Sequence, residues 1–326
     1  MRRNRLAALL TAAAFSCLLT SCGTSADTAA QHSVALVVKS TNTEFWLSVF
    51  AGAEAAAAEY NLILTTSGPG TEEDYEAQNR MIESAVEAGA EALVFSAIDY
   101  EKNAAAIDSA AQAGVQIVSI DSGVASDAVS TYIGTDNYAA GRMAAQVALE
   151  SVEGPLSVGI VNYDEGTANG QEREQGVRDA LEESGRARIG ASVTTLVEAG
   201  RAQSDAAALL SQNPDINVLI AFNEPTSVGA ARAVEELGLE EDVFLVCFDS
   251  NIVTIEGLQS GSVDALVVQN PYAMGYLGVE SAYRLLTGQK DSVAPTVDTS
   301  TQIVYRSNMF TMDSQKALFA FDQHLD

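Results

Sequence analysis

From Val34 onward, short apolar runs alternate with longer segments in which apolar residues recur at helical spacing. The short runs show no alternation of polar and apolar positions, which is typical of parallel strands that are covered on both faces. In the longer segment 44–60, the side chains of Phe45, Val49 and Ala53 fall on one helical face. A chain that alternates in this way is expected to form a doubly wound parallel sheet with helices on both sides.

The same scheme occurs twice along the chain. In the first half the pattern predicts strands over residues 34–39, 61–66, 92–96 and 115–120, and helices over 44–60, 73–89 and near 101–113. In the second half it predicts strands over residues 156–161, 188–193, 217–222 and 243–248, and helices over 170–183, 201–212 and 225–237. The segments QIVSIDSG and FLVCFDSN align with each other, so Asp121 and Asp249 occupy equivalent positions. The expected fold class is therefore α/β, with two Rossmann-like, doubly wound lobes and a cleft between them.

Polar side chains follow several of the predicted strands directly, among them Ser96, Asp121, Asn223 and Asp249. In open α/β sheets, ligands bind outside the carboxyl ends of the strands, so these side chains are expected to converge on the cleft. Carboxylates, amides and a guanidinium match the hydroxyl groups of a sugar, and aromatic rings cover its C–H faces. Because no cluster of Lys or Arg accompanies them, the mixture suits a neutral polyol better than an anion.

Charge and histidine content exclude several other kinds of function. The 326 residues carry a formal net charge of −27, from 17 Lys and Arg against 44 Asp and Glu. Such a surface repels nucleic acid, so no DNA or RNA partner is expected. The two histidines, His32 and His324, lie near the ends of the chain, which argues against Ser-His-Asp triads and HExxH zinc sites. We expect neither a metal nor a cofactor.

The N-terminal segment is typical of an export signal. A basic start is followed by an apolar run from Leu6 to Leu19, which is shorter than the roughly 20 residues that a membrane-spanning helix needs. The run ends in a Leu-Thr-Ser-Cys sequence that resembles a bacterial lipobox, which predicts a lipoprotein signal peptide over 1–21 and lipidation at Cys22. A polar tether over 22–33 would join this anchor to the folded part. An ordinary signal peptide with an incidental cysteine is the alternative, and Cys247 is expected to be a buried core thiol.

The chain resembles one known family over nearly all of residues 34–305, and seven segments carry the resemblance. They are VALVVKSTNTEFWLSVFAGAEAAA, GVQIVSIDSGV, IGTDNYAAGRMAA, QEREQGV, LIAFNEPTSVGAARAV, FLVCFDS and DALVVQNPYAMGYLGV. In these segments the chain is similar to the periplasmic sugar-binding proteins of ABC importers, ribose-binding type, which share a core with LacI-type repressors. No helix-turn-helix precedes the core, so a repressor is not expected.

The resemblance implies a type I periplasmic binding protein fold, with two lobes joined by a multi-strand hinge. The N-terminal lobe would comprise residues 34–135 and 270–298, and the C-terminal lobe residues 136–269 and 299–326. Hinge crossings are expected near Thr135, Gln269 and Asp298.

The resemblance also implies a set of ligand-binding residues at the matching positions of this chain. These are Asn42, Thr43, Phe45, Trp46, Ser96, Asp121, Ser122, Arg173, Asn223, Asp249 and Gln269. Ser122 stands where ribose binders carry an arginine, and residues 197–200 lack the aromatic residue expected in the second lobe. The family therefore implies a sugar without specifying ribose.

Local structural roles are the alternative for several of these residues. Asp121 and Asp249 would then cap helices, Arg173 would pair with a neighbouring glutamate, and Gln269 would belong only to the hinge.

The function expected from this reasoning is that of a solute-binding lipoprotein on the extracytoplasmic face of the cell membrane. It would capture a pentose or hexose by hinge closure and deliver it, as a monomer, to the permease and ATPase subunits of an ABC importer, without catalysis. One alternative is a signalling receptor for a sugar, a nucleoside or an autoinducer. Another is a glycosidase that uses Asp121 and Asp249 as its carboxylate pair.

Overall fold

The computed structural model describes residues 31–319 of the chain. The predicted signal peptide (1–21) and lipidation site Cys22 lie outside the described residues, as do most of the predicted tether and residues 320–326. The first strand begins at Ser33, just before the expected start at Val34. Within residues 31–319, no helix is both long enough and apolar enough to cross a membrane.

Strands and helices alternate along most of the described chain. The strands are β1 (Ser33–Val37), β2 (Ile63–Ser67), β3 (Ala92–Phe95), β4 (Gln116–Ile120), β5 (Val129–Gly134), β6 (Leu156–Tyr163), β7 (Ala187–Thr195), β8 (Val218–Ala221), β9 (Phe244–Phe248), β10 (Ala265–Val268), β11 (Thr296–Asp298) and β12 (Gln302–Tyr305). The α-helices are α1 (Glu44–Glu59), α2 (Tyr75–Glu87), α3 (Ala104–Gln112), α4 (Asn137–Ser151), α5 (Ala168–Ser184), α6 (Ala199–Gln212), α7 (Glu224–Leu237), α8 (Ile252–Ser260), α9 (Pro271–Leu286) and α10 (Met312–Leu318).

The strands form two six-stranded sheets with the same topology. The order is β11-β5-β4-β3-β1-β2 in the first sheet and β12-β10-β9-β8-β6-β7 in the second. Paired strands are parallel, except that β12 runs antiparallel to β10. In each sheet the first strand lies between the second and the third, so the strand order reverses there. The predicted α/β fold with two doubly wound lobes is confirmed.

The chain passes between the two sheets three times. After β5 it enters α4, which packs on α5; after β10 it enters α9, which packs on α1 and β4. The third passage joins β11 to β12. These passages occur where hinge crossings are expected, next to Thr135, Gln269 and Asp298. Below, the first sheet with α1, α2, α3 and α9 is called the first lobe, and the second sheet with the remaining helices the second lobe.

Helices bury both faces of each sheet. In β1, Val34 and Leu36 pack with residues of α1 and α9, whereas Ala35 and Val37 pack with residues of α2 and α3. The second sheet is covered in the same way, by α4 and α5 on one face and by α6, α7 and α8 on the other. Because the central strands β1, β3, β4, β6, β8, β9 and β10 are buried on both faces, their sequences show no polar alternation, whereas the edge strands β2 and β7 are partly exposed.

The crossing of α4 with α5 depends on glycine. A Cβ atom at Gly141 would lie 2.1 Å from the backbone oxygen of Arg173, and one at Gly176 would lie 2.2 Å from that of Tyr138. Since real Cβ atoms do not approach backbone so closely, only glycine lets the two helices meet at this distance. The contact fixes the backbone of Arg173, a residue of the site described next.

Candidate functional site

The two lobes enclose a small cavity of about 290 Å³ at the carboxyl ends of their strands. The first lobe contributes Lys39, Thr43, Phe45, Trp46, Glu72 and Asp121 to its lining. The second lobe and the adjoining crossing contribute Tyr163, Asn169, Arg173, Asn223, Glu224, Pro225, Asp249 and Gln269. A cavity at this edge is where doubly wound sheets bind ligands, because the strand order reverses there.

Two aromatic rings form the apolar wall of the cavity. The hydroxyl oxygen of Thr43 accepts a hydrogen bond from the backbone N–H of Trp46 at 3.3 Å, which fixes the start of α1. Phe45 and Trp46 therefore lie in the first turn, where their rings meet edge to face with centroids 5.0 Å apart. The Trp46 indole Nε1 donates to Glu72 Oε1 at 2.8 Å. Residues of the same lobe thus hold the apolar wall in place.

Asp121 is the main carboxylate of the first lobe. It is 3% exposed, accepts a hydrogen bond from Ser96 Oγ at 2.8 Å, and lies 3.5 Å from Lys39 Nζ. From the second lobe, the side-chain amide of Asn169 donates to both of its oxygens, at 3.3 and 3.4 Å. Lys39 Nζ also donates to Asn169 Oδ1 at 3.2 Å. This buried pair of opposite charges therefore has the polar partners that burial requires.

Arg173 is the corresponding cation of the second lobe, and it is 1% exposed. Its guanidinium donates to Asn137 Oδ1 at 2.9 Å, to the backbone oxygen of Phe222 at 2.5 Å and to Gln269 Oε1 at 2.7 Å. The guanidinium carbon also lies 4.7 Å from the centre of the Phe248 ring. The fixed fork of donors thus ties α5 to the ends of two strands.

Gln269 connects the site to the hinge. Its Oε1 atom accepts from Arg173 and also from Thr135 Oγ1 at 2.9 Å, and its amide donates to Asp249 Oδ1 at 2.6 Å. Thr135 Oγ1 in turn accepts from Thr301 Oγ1 at 3.4 Å. A single side chain therefore joins two crossings of the chain to a carboxylate of the cavity, and a short hydrogen-bond chain reaches the third.

Three carboxyl groups of the cavity have pKa values raised above the ordinary range. Burial raises the pKa of Glu72 and of Glu224 to about 7, and that of Asp249 to about 6, where the nearby Arg173 opposes the shift. A further negative charge in this cavity would be unfavourable for the same reason. Neutral hydroxyl groups, which donate to carboxylates and accept from Lys39 and Arg173, suit it better.

The lobes also touch outside the cavity. The backbone N–H of Tyr100 in the first lobe donates to Gly166 O in the second lobe at 2.8 Å. The backbone N–H of Val197 donates to Glu73 Oε1 at 2.7 Å. The two lobes are therefore closed on each other around the cavity.

Most of the residues that the sequence nominates for ligand binding line this cavity: Thr43, Phe45, Trp46, Asp121, Arg173, Asn223, Asp249 and Gln269. Three of them do not. Asn42 is exposed, and its side-chain amide donates to Gly70 O at 2.9 Å. Ser96 is fully buried and donates to Asp121. Ser122 follows the left-handed turn at Asp121, is fully buried, and its hydroxyl has no hydrogen-bond partner among residues 31–319.

The cavity also contains residues that the sequence reasoning did not nominate: Lys39, Glu72, Tyr163, Asn169, Glu224 and Pro225. Lys39 and Tyr163 lie at the carboxyl ends of β1 and β6, so the strand-end rule that nominated Asp121 applied to them as well. Glu72 lies in the loop before α2, and no local pattern marks it.

A family model for the periplasmic binding protein domain matches residues 34–290. The chain belongs to this family. Among its relatives, the D-ribose/D-allose-binding protein of Pseudomonas aeruginosa is 30% identical over 308 residues, covering 90% of this chain and 96% of that protein. The ribose import binding protein of Escherichia coli is 26% identical over 301 residues, covering 91% of this chain and 98% of that protein.

Solved structures of periplasmic binding proteins match the whole described fold. A carbohydrate transporter solute binding protein from Agrobacterium radiobacter, in complex with D-arabinose, has a TM-score of 0.85 and 29% identity, covering 89% of this chain and all of that one. An ABC transporter solute binding protein from Agrobacterium vitis, with bound D-fucose, has a TM-score of 0.84 and 28% identity, covering 88% and 99%.

This membership decides between binding and catalysis. The relatives of this periplasmic binding protein are binding proteins of transport systems, and the chain is likewise a binding protein and not an enzyme. The glycosidase alternative is therefore wrong. Among residues 31–319, no group of His, Cys, Asp or Glu is arranged to hold a metal ion. Cys247 is a fully buried core thiol of the second lobe, and burial raises its pKa to about 12.

Proposed function

We propose that this protein captures one neutral sugar of monosaccharide size in the cavity between its lobes. The observation that carries the proposal is the composition of that cavity, in which buried carboxylates, amides and two cations surround an aromatic wall. The cavity is small and bounded by buried side chains of both lobes, so a single sugar ring suits it better than a disaccharide.

Each kind of side chain has a role towards such a ligand. The rings of Phe45 and Trp46 would cover a C–H face and exclude water, which strengthens the polar contacts around it. Asp121 and Asp249, from opposite lobes, would accept hydroxyl hydrogens, while Arg173 would donate to ring or hydroxyl oxygens. Because the ligand would contact both lobes at once, its binding would favour the closed arrangement.

The similar proteins bear on the class of sugar. Their names or bound ligands include ribose, allose, arabinose and fucose, which are aldopentoses and aldohexoses. We infer an aldose of this size for the present chain. Lys39 would supply a cation on the side of the cavity where the arginine of ribose binders is replaced by Ser122.

We also propose that the closed protein delivers its sugar to the permease and ATPase subunits of an ABC importer, as a monomer anchored on the extracytoplasmic face by lipidated Cys22. The relatives support the transport role, and the lipobox-like sequence supports the anchor. Replacement of Cys22 by serine should release the protein from the membrane fraction into the medium or periplasm. Retention of the Cys22→Ser protein in membranes would contradict the anchor.

Isothermal titration calorimetry of the purified protein with D-ribose, D-allose, D-arabinose, D-fucose and D-xylose tests the proposed ligand class. At least one of them should bind, and Asp249→Ala should lose that binding without losing the fold by circular dichroism. The matched control is Asp127→Ala, since Asp127 is an exposed aspartate of the first lobe away from the cavity. Absence of binding across the panel, or undiminished affinity in Asp249→Ala, would contradict the proposal.

A further inference from the structure

The start of α1 lies where the two lobes meet, and its first backbone N–H groups are satisfied from the opposite lobe. Glu224, the first residue of α7 in the second lobe, is only 9% exposed. Its carboxylate accepts from the backbone N–H of Glu44 at 3.2 Å and from that of Phe45 at 2.9 Å. These donors have no partner within α1, because a helix leaves its first N–H groups unpaired.

Glu44, the first residue of α1, makes no equivalent contact in return. Its carboxyl group lies near the start of α8 in the second lobe, where the backbone N–H of Ile252 only partly offsets the rise in pKa that burial causes. Its Oε2 atom is buried and has no hydrogen-bond partner among the described residues. Of the two glutamates, Glu224 is therefore the one that satisfies the start of a helix in the opposite lobe.

The contacts of Glu224 join two lobes, unlike a helix cap whose residues all belong to one lobe. Glu198 also accepts two backbone N–H groups, from Gly200 and Arg201, but all three residues belong to the start of α6. A cap within one lobe is the same whether the lobes are open or closed, so it does not bias that equilibrium. The contacts of Glu224 with the start of α1 exist only when the lobes are closed, so their free energy counts entirely towards closure.

We propose that Glu224 forms a latch that stabilises the closed arrangement and slows the release of the bound sugar. Removal of the Glu224 acceptor leaves the N–H groups of Glu44 and Phe45 without a partner in the closed state, whereas water satisfies them in the open state. The closed population should fall about tenfold, which is the usual scale for leaving a buried donor without its acceptor. The latch rests on the proposed sugar capture only for its effect on release, because closure itself is measurable without sugar.

The test follows lobe closure through the rate of cross-linking. Tyr100 and Glu165 flank the contact between the lobes at Gly166, so Tyr100→Cys with Glu165→Cys gives one thiol on each lobe. A short bis-maleimide should join the thiols at a rate proportional to the closed fraction, and the chain without added cysteines serves as the reagent blank.

In this background and without sugar, Glu224→Ala should slow cross-linking about tenfold. Glu224→Gln, which keeps one acceptor oxygen, should fall between Glu224→Ala and the parent. Glu198→Ala is the matched control and should cross-link at the parent rate. Cross-linking at the parent rate in Glu224→Ala would overturn the latch.

A second measurement follows the sugar. With whichever aldose of the panel binds, stopped-flow Trp46 fluorescence should show dissociation from Glu224→Gln and Glu224→Ala that is faster by the same factors by which their sugar-free cross-linking is slower, since Trp46 is the only tryptophan of the chain and lines the cavity. Unchanged dissociation despite slower cross-linking would also overturn the proposed effect on release. If no sugar binds the parent, the proposed function fails while the cross-linking arm still decides whether the latch exists.

Discussion

Replacement of Arg173 by methionine tests whether the buried guanidinium holds together the part of the site that the second lobe provides. Arg173 is 1% exposed and donates to Asn137, to the backbone of Phe222 and to Gln269. Methionine has a similar length and retains contact with the Phe248 ring through its thioether, but it has no donor. The substitution therefore removes the charge and the hydrogen bonds while leaving little empty space.

The expected loss of unfolding free energy follows from the buried polar groups that lose Arg173 as their partner. Asp249 remains buried after its principal nearby cation is gone, and the backbone oxygen of Phe222, a fully buried residue, loses this donor. Leaving a buried acceptor without its donor costs roughly 1–3 kcal/mol. Because Gln269 and Asp249 border the cavity and can be reached by water, the buried oxygen of Phe222 dominates, and we expect about 3 kcal/mol of unfolding free energy.

Urea denaturation followed by two signals measures this cost and locates it. Far-ultraviolet circular dichroism reports both lobes, whereas the fluorescence of Trp46 reports the first lobe. Arg173→Met should lower the dichroism midpoint more than the fluorescence midpoint, because the damage lies in the second lobe.

The matched control is Arg142→Met, which removes a partly exposed arginine of the same lobe that pairs with Glu183 at 2.6 Å. Surface pairs of this kind contribute about 0–1 kcal/mol. A loss in Arg173→Met no larger than in this control would refute the reasoning.

Two further predictions concern protonation and helix packing. Burial raises the pKa of Glu72 and Glu224 to about 7 and that of Asp249 to about 6, so the folded protein binds these protons more tightly than the unfolded chain does. Their stabilising contribution is complete below their ordinary pKa values, near 4, and is lost as the pH rises to about 7. The melting temperature should therefore fall between pH 5 and pH 8, and a flat or rising profile would contradict the assigned shifts. Gly141→Ala should force α4 away from α5, lowering unfolding free energy by about 2 kcal/mol and weakening sugar affinity, because the new Cβ meets backbone at 2.1 Å. The control Gly70→Ala, where a Cβ meets nothing within 4 Å, should change neither quantity.

The sequence was most informative where structure is set by local pattern and repetition. The apolar runs predicted the strands from β1 to β9 apart from β5. Burial on both faces gives the central ones a continuous apolar signature, whereas the edge strands β2 and β7 are only partly buried. The internal repeat placed Asp121 and Asp249 at equivalent strand ends, and both line the cavity. Arg173 pairs with neither adjacent glutamate: Glu174 contacts Arg178 and Asn162 instead.

Contacts between residues that are far apart in the sequence could not be predicted from local sequence patterns. The apolar pattern places Lys39 at the end of the first predicted strand, which gave no reason to consider it a site residue. In the structure the strand ends at Val37, and Lys39 lines the cavity. Glu72 approaches Trp46 only because the loop before α2 folds back over α1. Glu224 follows Asn223 in the sequence, yet its partners belong to the other lobe and depend on the angle at which the lobes close.

At Asp121 and Asp249 the backbone conformation and the cavity each favour aspartate, for different reasons. Both adopt left-handed conformations, with φ of 58° and 66°, which asparagine and aspartate tolerate better than other side chains with a Cβ. Neither caps a helix, since Asp121 precedes the loop to β5 and the cap of α8 is Asn251.

The backbone would accept asparagine at either position, so it does not explain the negative charge. The charge is matched by the cavity instead, where Lys39 lies 3.5 Å from Asp121 and Arg173 lowers the pKa of Asp249. Burying an ionised carboxylate costs free energy, and the raised pKa of Asp249 reflects that cost. Hydroxyl groups of a ligand would offset that cost, because an ionised carboxylate only accepts hydrogen bonds, and for this reason we propose that both aspartates serve the ligand.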